Sequence, residues 1–135
     1  MKIKYTPYFR LLITLWLLSL SSLAHASELP NIIGDTWLNS TPLHADDLKN
    51  KVVLVKFWTY GCHNCNAVEP YVIKWNNKYA EQGLLVIAVH APEFAHEHQL
   101  DNVQAYMKEH KVPYPVVLDN DFSNWRRFSN RYWPT

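Results

Sequence analysis

The two cysteines of this 135-residue chain stand three positions apart, Cys62 and Cys65, with His63 and Asn64 between them. That spacing lets both sulfurs share one helical turn, where one thiol can attack a disulfide formed on the other. If Cys62 opens a helix, unpaired backbone N–H groups and the positive end of the macrodipole favour its thiolate. Cys62 is then the attacking sulfur and Cys65 the resolving one. A protonated His63 would stabilise the Cys62 thiolate further and make the couple more oxidising. A zinc ribbon needs two more ligands at suitable spacing, and covalent haem attachment needs His directly after Cys65, where Asn66 stands. A purely structural disulfide is the remaining alternative, but it would close almost no loop and constrain little of the unfolded chain.

Further polar groups cluster by sequence around the pair. His90 and Glu93 follow a strongly apolar run and fall where a strand should end, on the expected edge of the site, where they could relay protons. His96-Glu97-His98 invites a metal reading together with His90, but histidines two apart at a helix start usually face solvent. No metal or cofactor is expected. Trp58, Trp75, Trp125 and Trp133 read as core, and Trp133, next to Pro134, is also a candidate wall for a substrate groove.

Positioning these residues requires alternating strands and helices. Val52 to Trp58 and Leu84 to His90 are apolar runs rich in β-branched residues and read as buried parallel strands, with Val116 to Leu118 a third. Between the first two the pattern predicts a helix from about Cys62 to Gly83, with Val68, Tyr71, Val72, Trp75 and Tyr79 on its apolar face and Pro70 inside it. A second helix is expected from about Glu97 to His110, and a short one around Phe122, Trp125 and Phe128. Thr36 to Leu38 and Pro42 to His44 flank Asn39-Ser40-Thr41 like a small hairpin. Strand and helix in alternation mean a parallel sheet with right-handed crossovers, whose sites form at the carboxyl ends of the strands. Cys62 follows one such end.

Composition sets outer limits. A net charge of +1 provides no basic surplus for phosphate recognition, so no nucleic-acid partner is expected. Lys2, Lys4 and Arg10 precede the apolar run Leu11 to Leu20, and small residues lead to Ala24-His25-Ala26. Residues 1–26 therefore read as a secretory signal peptide, and 27–135 as one domain. The apolar run is about half the length of a spanning helix, so an uncleaved anchor is the alternative. Either way the domain faces outward, in a Gram-negative cell into the oxidising periplasm, where a cysteine pair serves as a structural disulfide or a redox catalyst.

The segment Val52 to Pro70, VVLVKFWTYGCHNCNAVEP, resembles the active-site segment of thioredoxin-like proteins of the TlpA/redoxin class. With VIAVHAPEF at 86–94, YPVVLDND at 114–121 and NRYWPT at 130–135, the chain is similar to the thioredoxin-like domain of DipZ-type proteins. The resemblance implies an α/β, thioredoxin-like fold, a central sheet with flanking helices. It also implies that Pro134 is the cis-proline that lies against the dithiol and presents backbone to the substrate sulfur. Measured against that family the chain stops one residue after Pro134, so the C-terminal β-hairpin and closing helix are expected to be lacking and the domain to be C-terminally incomplete.

Two departures from the family bear on chemistry. Gly61 replaces the Trp that usually precedes the first cysteine. Lys56 replaces a buried Asp that assists proton transfer to the second. A buried Lys56 would favour thiolate at Cys65 unless desolvation lets it shuttle protons itself, and the plainer alternative is that it snorkels to solvent. The family's helix Glu would fall at Val68, with Glu69 shifted by one, and that role is not carried over.

The function implied is an exported thiol–disulfide oxidoreductase, read as a disulfide reductase. Its expected partners are protein thiols and disulfides, with a membrane electron donor of the DsbD/DipZ type. A copper metallochaperone using the same cysteines, or an inactive truncated remnant, are the alternatives. A peroxidase is disfavoured because the proline- and threonine-containing loop that would carry a peroxidatic cysteine is missing.

Overall fold

The computed structural model describes residues 31–135. The expected signal peptide, residues 1–26, lies outside them. Strands β1 (Trp37–Leu38), β2 (Val52–Trp58), β3 (Leu84–His90) and β4 (Val116–Leu118) form one sheet in the order β1-β4-β3-β2. The pairs β2/β3 and β3/β4 are parallel and β1/β4 is antiparallel. The crossovers carry helix α1 (His63–Tyr79) between β2 and β3 and helix α2 (Leu100–Glu109) between β3 and β4, and a short α3 (Ser123–Arg127) follows β4. The three apolar runs are thus the parallel strands that their composition predicts.

Period-two alternation divides the strands between two cores. Trp58, Val86, Ala88 and Val116 face α1 and α2, where they pack with Cys65, Val72, Val103, Tyr106 and Met107. Phe57, Ile87, Val89 and Val117 face the other way, onto Ile32, Trp37, Trp125 and Phe128. Lys56 falls on the first of these faces because it alternates with Trp58, and that phase puts its side chain under α1.

Three expectations are corrected. Trp37 and Leu38 pair with Val117 and Val116 of β4 rather than with residues 42–44, which lead instead into a 3-10 turn at Ala45–Leu48. The long-range partner wins because a two-residue strand gains more from completing the edge of a packed sheet than from an isolated hairpin. The second helix begins at Leu100, three residues later than expected, since Ala95–His98 is a separate 3-10 turn.

The buried face of α1 is the third. Cys65, Glu69 and Val72 point inward, whereas Tyr71 is 61% and Trp75 47% exposed. Val68 and Tyr79 are also exposed, and so is Val52 at the start of β2. Of the stripe read as core only Val72 lies on the inner face and the other four flank it, because Glu69 occupies the central inward position that apolar periodicity cannot register. On the outer edge of β2, Thr135 exchanges backbone hydrogen bonds with Phe57, at 2.8 and 3.3 Å.

Candidate active site

Cys62 caps α1. Its backbone is extended (φ −78°, ψ 111°), its sulfur accepts the Cys65 amide at 3.1 Å, and its carbonyl accepts the Asn66 amide at 3.1 Å. The two sulfurs are joined as a disulfide with the Cα atoms 5.2 Å apart. Cys62 is half-buried and Cys65 has no exposed surface. The strand-to-helix turn is tied at both sides: the Cys62 amide donates to the Thr59 carbonyl at 3.3 Å, and the Asn66 side chain donates to the Tyr60 carbonyl at 3.1 Å. His63 is exposed in the first turn.

On the inner side of α1, Lys56 does not snorkel. It is 4% exposed and pairs with the equally buried Glu69. Its Nζ also lies 3.5 Å from the Tyr114 hydroxyl, which donates to the other Glu69 oxygen, and 5.1 Å from the centroid of the Trp58 ring. Burial pulls the Lys56 amine down to about 7 from the ordinary lysine range and pushes the Tyr114 hydroxyl up. Glu69, to which sequence reasoning gave no role, therefore completes a buried acid–base cluster in the core that also holds Cys65. The one signal in the sequence was a carboxylate one helical turn after Cys65, on the same face.

His90 ends β3 with no exposed surface, beneath Tyr60 and edge-on to Trp58. Its Nε2 is 3.3 Å from the Thr59 hydroxyl, and its Nδ1 has no hydrogen-bond partner among the described residues. Burial is the main cause that lowers its pKa to about 4, against the raising pull of Glu97. Glu93 contributes only its backbone amide, and its side chain is exposed. The residue that sequence reasoning missed is Glu97. Its side chain is buried and accepts amides from Gly61 at 2.9 Å, Glu93 at 2.6 Å and Phe94 at 2.9 Å.

The Trp133–Pro134 bond is cis. Pro134 lines an open groove with Leu54, Val55, Lys56, Val72 and Trp75. Trp133 is half-buried, packs tilted against Trp125 with ring centroids 4.3 Å apart and donates its indole N–H to the Ala91 carbonyl at 3.0 Å. Trp58 is core, but Trp75 is not. Among the described residues no three His, Cys, Asp or Glu side chains gather where a metal could be held.

Chemically, a half-buried sulfur at a helix N-terminus, a fully buried partner sulfur and an ionisable cluster in the same core form an arrangement suited to reversible disulfide exchange. Comparison with known proteins agrees. The family described as Redoxin matches residues 24–131. Protein DipZ of Mycobacterium bovis is 41% identical over 118 residues, covering 85% of this chain, which spans 17% of that protein's length. The thiol-disulfide oxidoreductase YkuV of Bacillus subtilis is 30% identical over 107 residues, covering 78% of this chain and 72% of its own. A solved thioredoxin-like protein in its oxidised form superposes with a TM-score of 0.69 at 30% identity, over 76% of this chain and 70% of the other. The fold is thioredoxin-like.

Proposed function

This chain belongs to the redoxin family, and from that premise we propose that it is an exported thiol–disulfide oxidoreductase acting as a disulfide reductase through Cys62 and Cys65. The observation that carries the reading is the asymmetry of the pair: Cys62 half-buried at the N-cap of α1, Cys65 wholly buried behind it. The Cys62 thiolate attacks a substrate disulfide, forming a mixed disulfide and releasing one substrate thiolate. Cys65, as thiolate, then attacks the Cys62 sulfur. The second substrate thiolate leaves, and the Cys62–Cys65 disulfide remains. Two electrons pass to the substrate, and an external dithiol must return them, in keeping with a membrane donor of the DsbD/DipZ type.

Cys65 must lose its proton for the second step. The Lys56–Glu69–Tyr114 cluster lies on the inner side of α1, in the core that holds Cys65, and an amine near 7 can accept a proton at neutral pH. Lys56 thus takes the place, though not the charge, of the family's buried acid. Pro134, in its cis form, is assigned to present backbone to the substrate sulfur.

Residues 1–26 are assigned as the signal peptide that exports residues 27–135 to the periplasm. The mass of the protein recovered from a periplasmic extract tests this, and a full-length mass in the cytosolic fraction contradicts it. The exchange activity is tested by insulin reduction and by equilibration in glutathione buffers. A reductase settles near the potential of thioredoxin, about −270 mV, while a value near −120 mV would overturn the reductase direction.

A further inference from the structure

The buried side chain of Glu97 joins the loop after β3 to the loop carrying the dithiol. Its Oε1 accepts the Gly61 amide, and its Oε2 accepts the amides of Glu93 and Phe94. Burial opposes its ionisation. The hydrogen bonds from Phe94, Glu93, the Thr59 hydroxyl and Gly61 outweigh that and hold its carboxyl below the usual range. The space around it is matched to Gly61. A Cβ at position 61 would run into Glu97 Oε1, so a side chain there would push the carboxylate off the Gly61 amide. A full negative charge is therefore fixed against the residue that precedes Cys62.

We propose that Glu97 is a positioning residue of the dithiol: it locks the Gly61 amide ahead of Cys62 and, by its charge, holds Cys62 toward the thiol and the couple toward the reducing side. The inference rests on the exchange chemistry proposed above and deepens it. Glu97 engages the amide of Gly61, which places its carboxylate one residue ahead of Cys62, and a like charge nearby disfavours the thiolate. Because the reduced state is stabilised by thiolate formation, disfavouring the thiolate makes the protein a stronger reductant. The other ionisable groups around this region are His63 on α1, His90 at the end of β3, Tyr60 stacked on it, Glu93 in the loop after β3, and His96 and His98 on the 3-10 turn. Lys56 and Glu69 lie on the Cys65 side.

The test compares the full chain with Glu97→Gln and Glu97→Asp. Cys62 pKa is read from the pH dependence of iodoacetamide alkylation, and the Cys62–Cys65 equilibrium is read in glutathione buffers at pH 8. Glu97→Gln should lower the Cys62 pKa by about one unit and shift the equilibrium several-fold toward the dithiol. Glu97→Asp, which keeps the charge, should stay close to the unsubstituted protein. Unchanged values in Glu97→Gln, or an equal displacement in both variants, would overturn the proposal. If Glu97→Gln does not fold, the unsubstituted chain decides: its Glu97 carboxyl ¹³C resonance should move in step with Cys62 thiolate formation, as reciprocal coupling requires, and an unresponsive resonance overturns it. Both readouts are taken on the protein's own cysteines. A chain that fails to reduce insulin yet shows these shifts would count against the exchange function alone.

Discussion

Cys62 and Cys65 were legible as a reactive pair because their spacing alone fixes a shared helical turn, and the disulfide and N-cap geometry follow from it. Lys56 and Glu69 were legible only singly. Thirteen positions separate them, and neither carries a mark of its partner until β2 and α1 are packed together. Such a pair is costly to break from one side, because the surviving charge stays buried without compensation. Glu69→Ala should cost about 3 to 5 kcal/mol in a urea unfolding experiment, whereas the double substitution Lys56→Met with Glu69→Leu should cost much less. Equal losses for both would show that the two charges do not compensate each other. Glu97 was hidden for a related reason: within His96-Glu97-His98 it reads as part of an exposed polar run, and only the return of the chain onto Gly61 buries it.

Helix α1 shows where apolar periodicity misleads at the scale of an element. Five apolar residues at helical spacing pointed to one face, but of these only Val72 joins Cys65 and Glu69 on the inner face, and the aromatic residues lie beside it. Function explains the discrepancy, since two of the three inward positions hold a sulfur and a carboxylate rather than hydrocarbon. The faces can be told apart by substitution. Val72→Ala, at a site 5% exposed, should destabilise by about 2 kcal/mol. Tyr71→Lys, at a site 61% exposed, should stay within about 0.5 kcal/mol. Comparable losses at both would restore the face read from periodicity. The parallel strands were easier to read because β3 and β4 are mostly buried, as is the second half of β2, and a continuous β-branched run is what burial on both faces demands.

For the whole molecule, alternating strand and helix fixed a parallel α/β sheet from sequence. The antiparallel addition of β1 was not legible, because two residues carry too little pattern to choose a distant partner. Burial of His90 in the centre of this arrangement has a consequence for pH. Its folded pKa, about 4, lies below the unfolded value of 6.5, so the unfolded chain binds the extra proton first. The associated stability is fully present above pH 6.5 and is lost as pH falls through 4, on the order of 3 kcal/mol. Thermal unfolding should therefore show Tm declining across that window, with a shallower decline in His90→Gln. An identical slope in both proteins would place the acid sensitivity elsewhere, for instance in the carboxylates.

These three scales meet in one claim, that Cys62 attacks and Cys65 resolves. The direct test is to incubate the reduced Cys65→Ser variant with an insulin disulfide substrate and to determine by intact mass and peptide mapping what accumulates. A stable mixed disulfide on Cys62, absent from the Cys62→Ser variant and resolved rapidly in the unsubstituted protein, is the result expected. No adduct on Cys62, or adduct formation through Cys65 to an equal extent, would contradict the account.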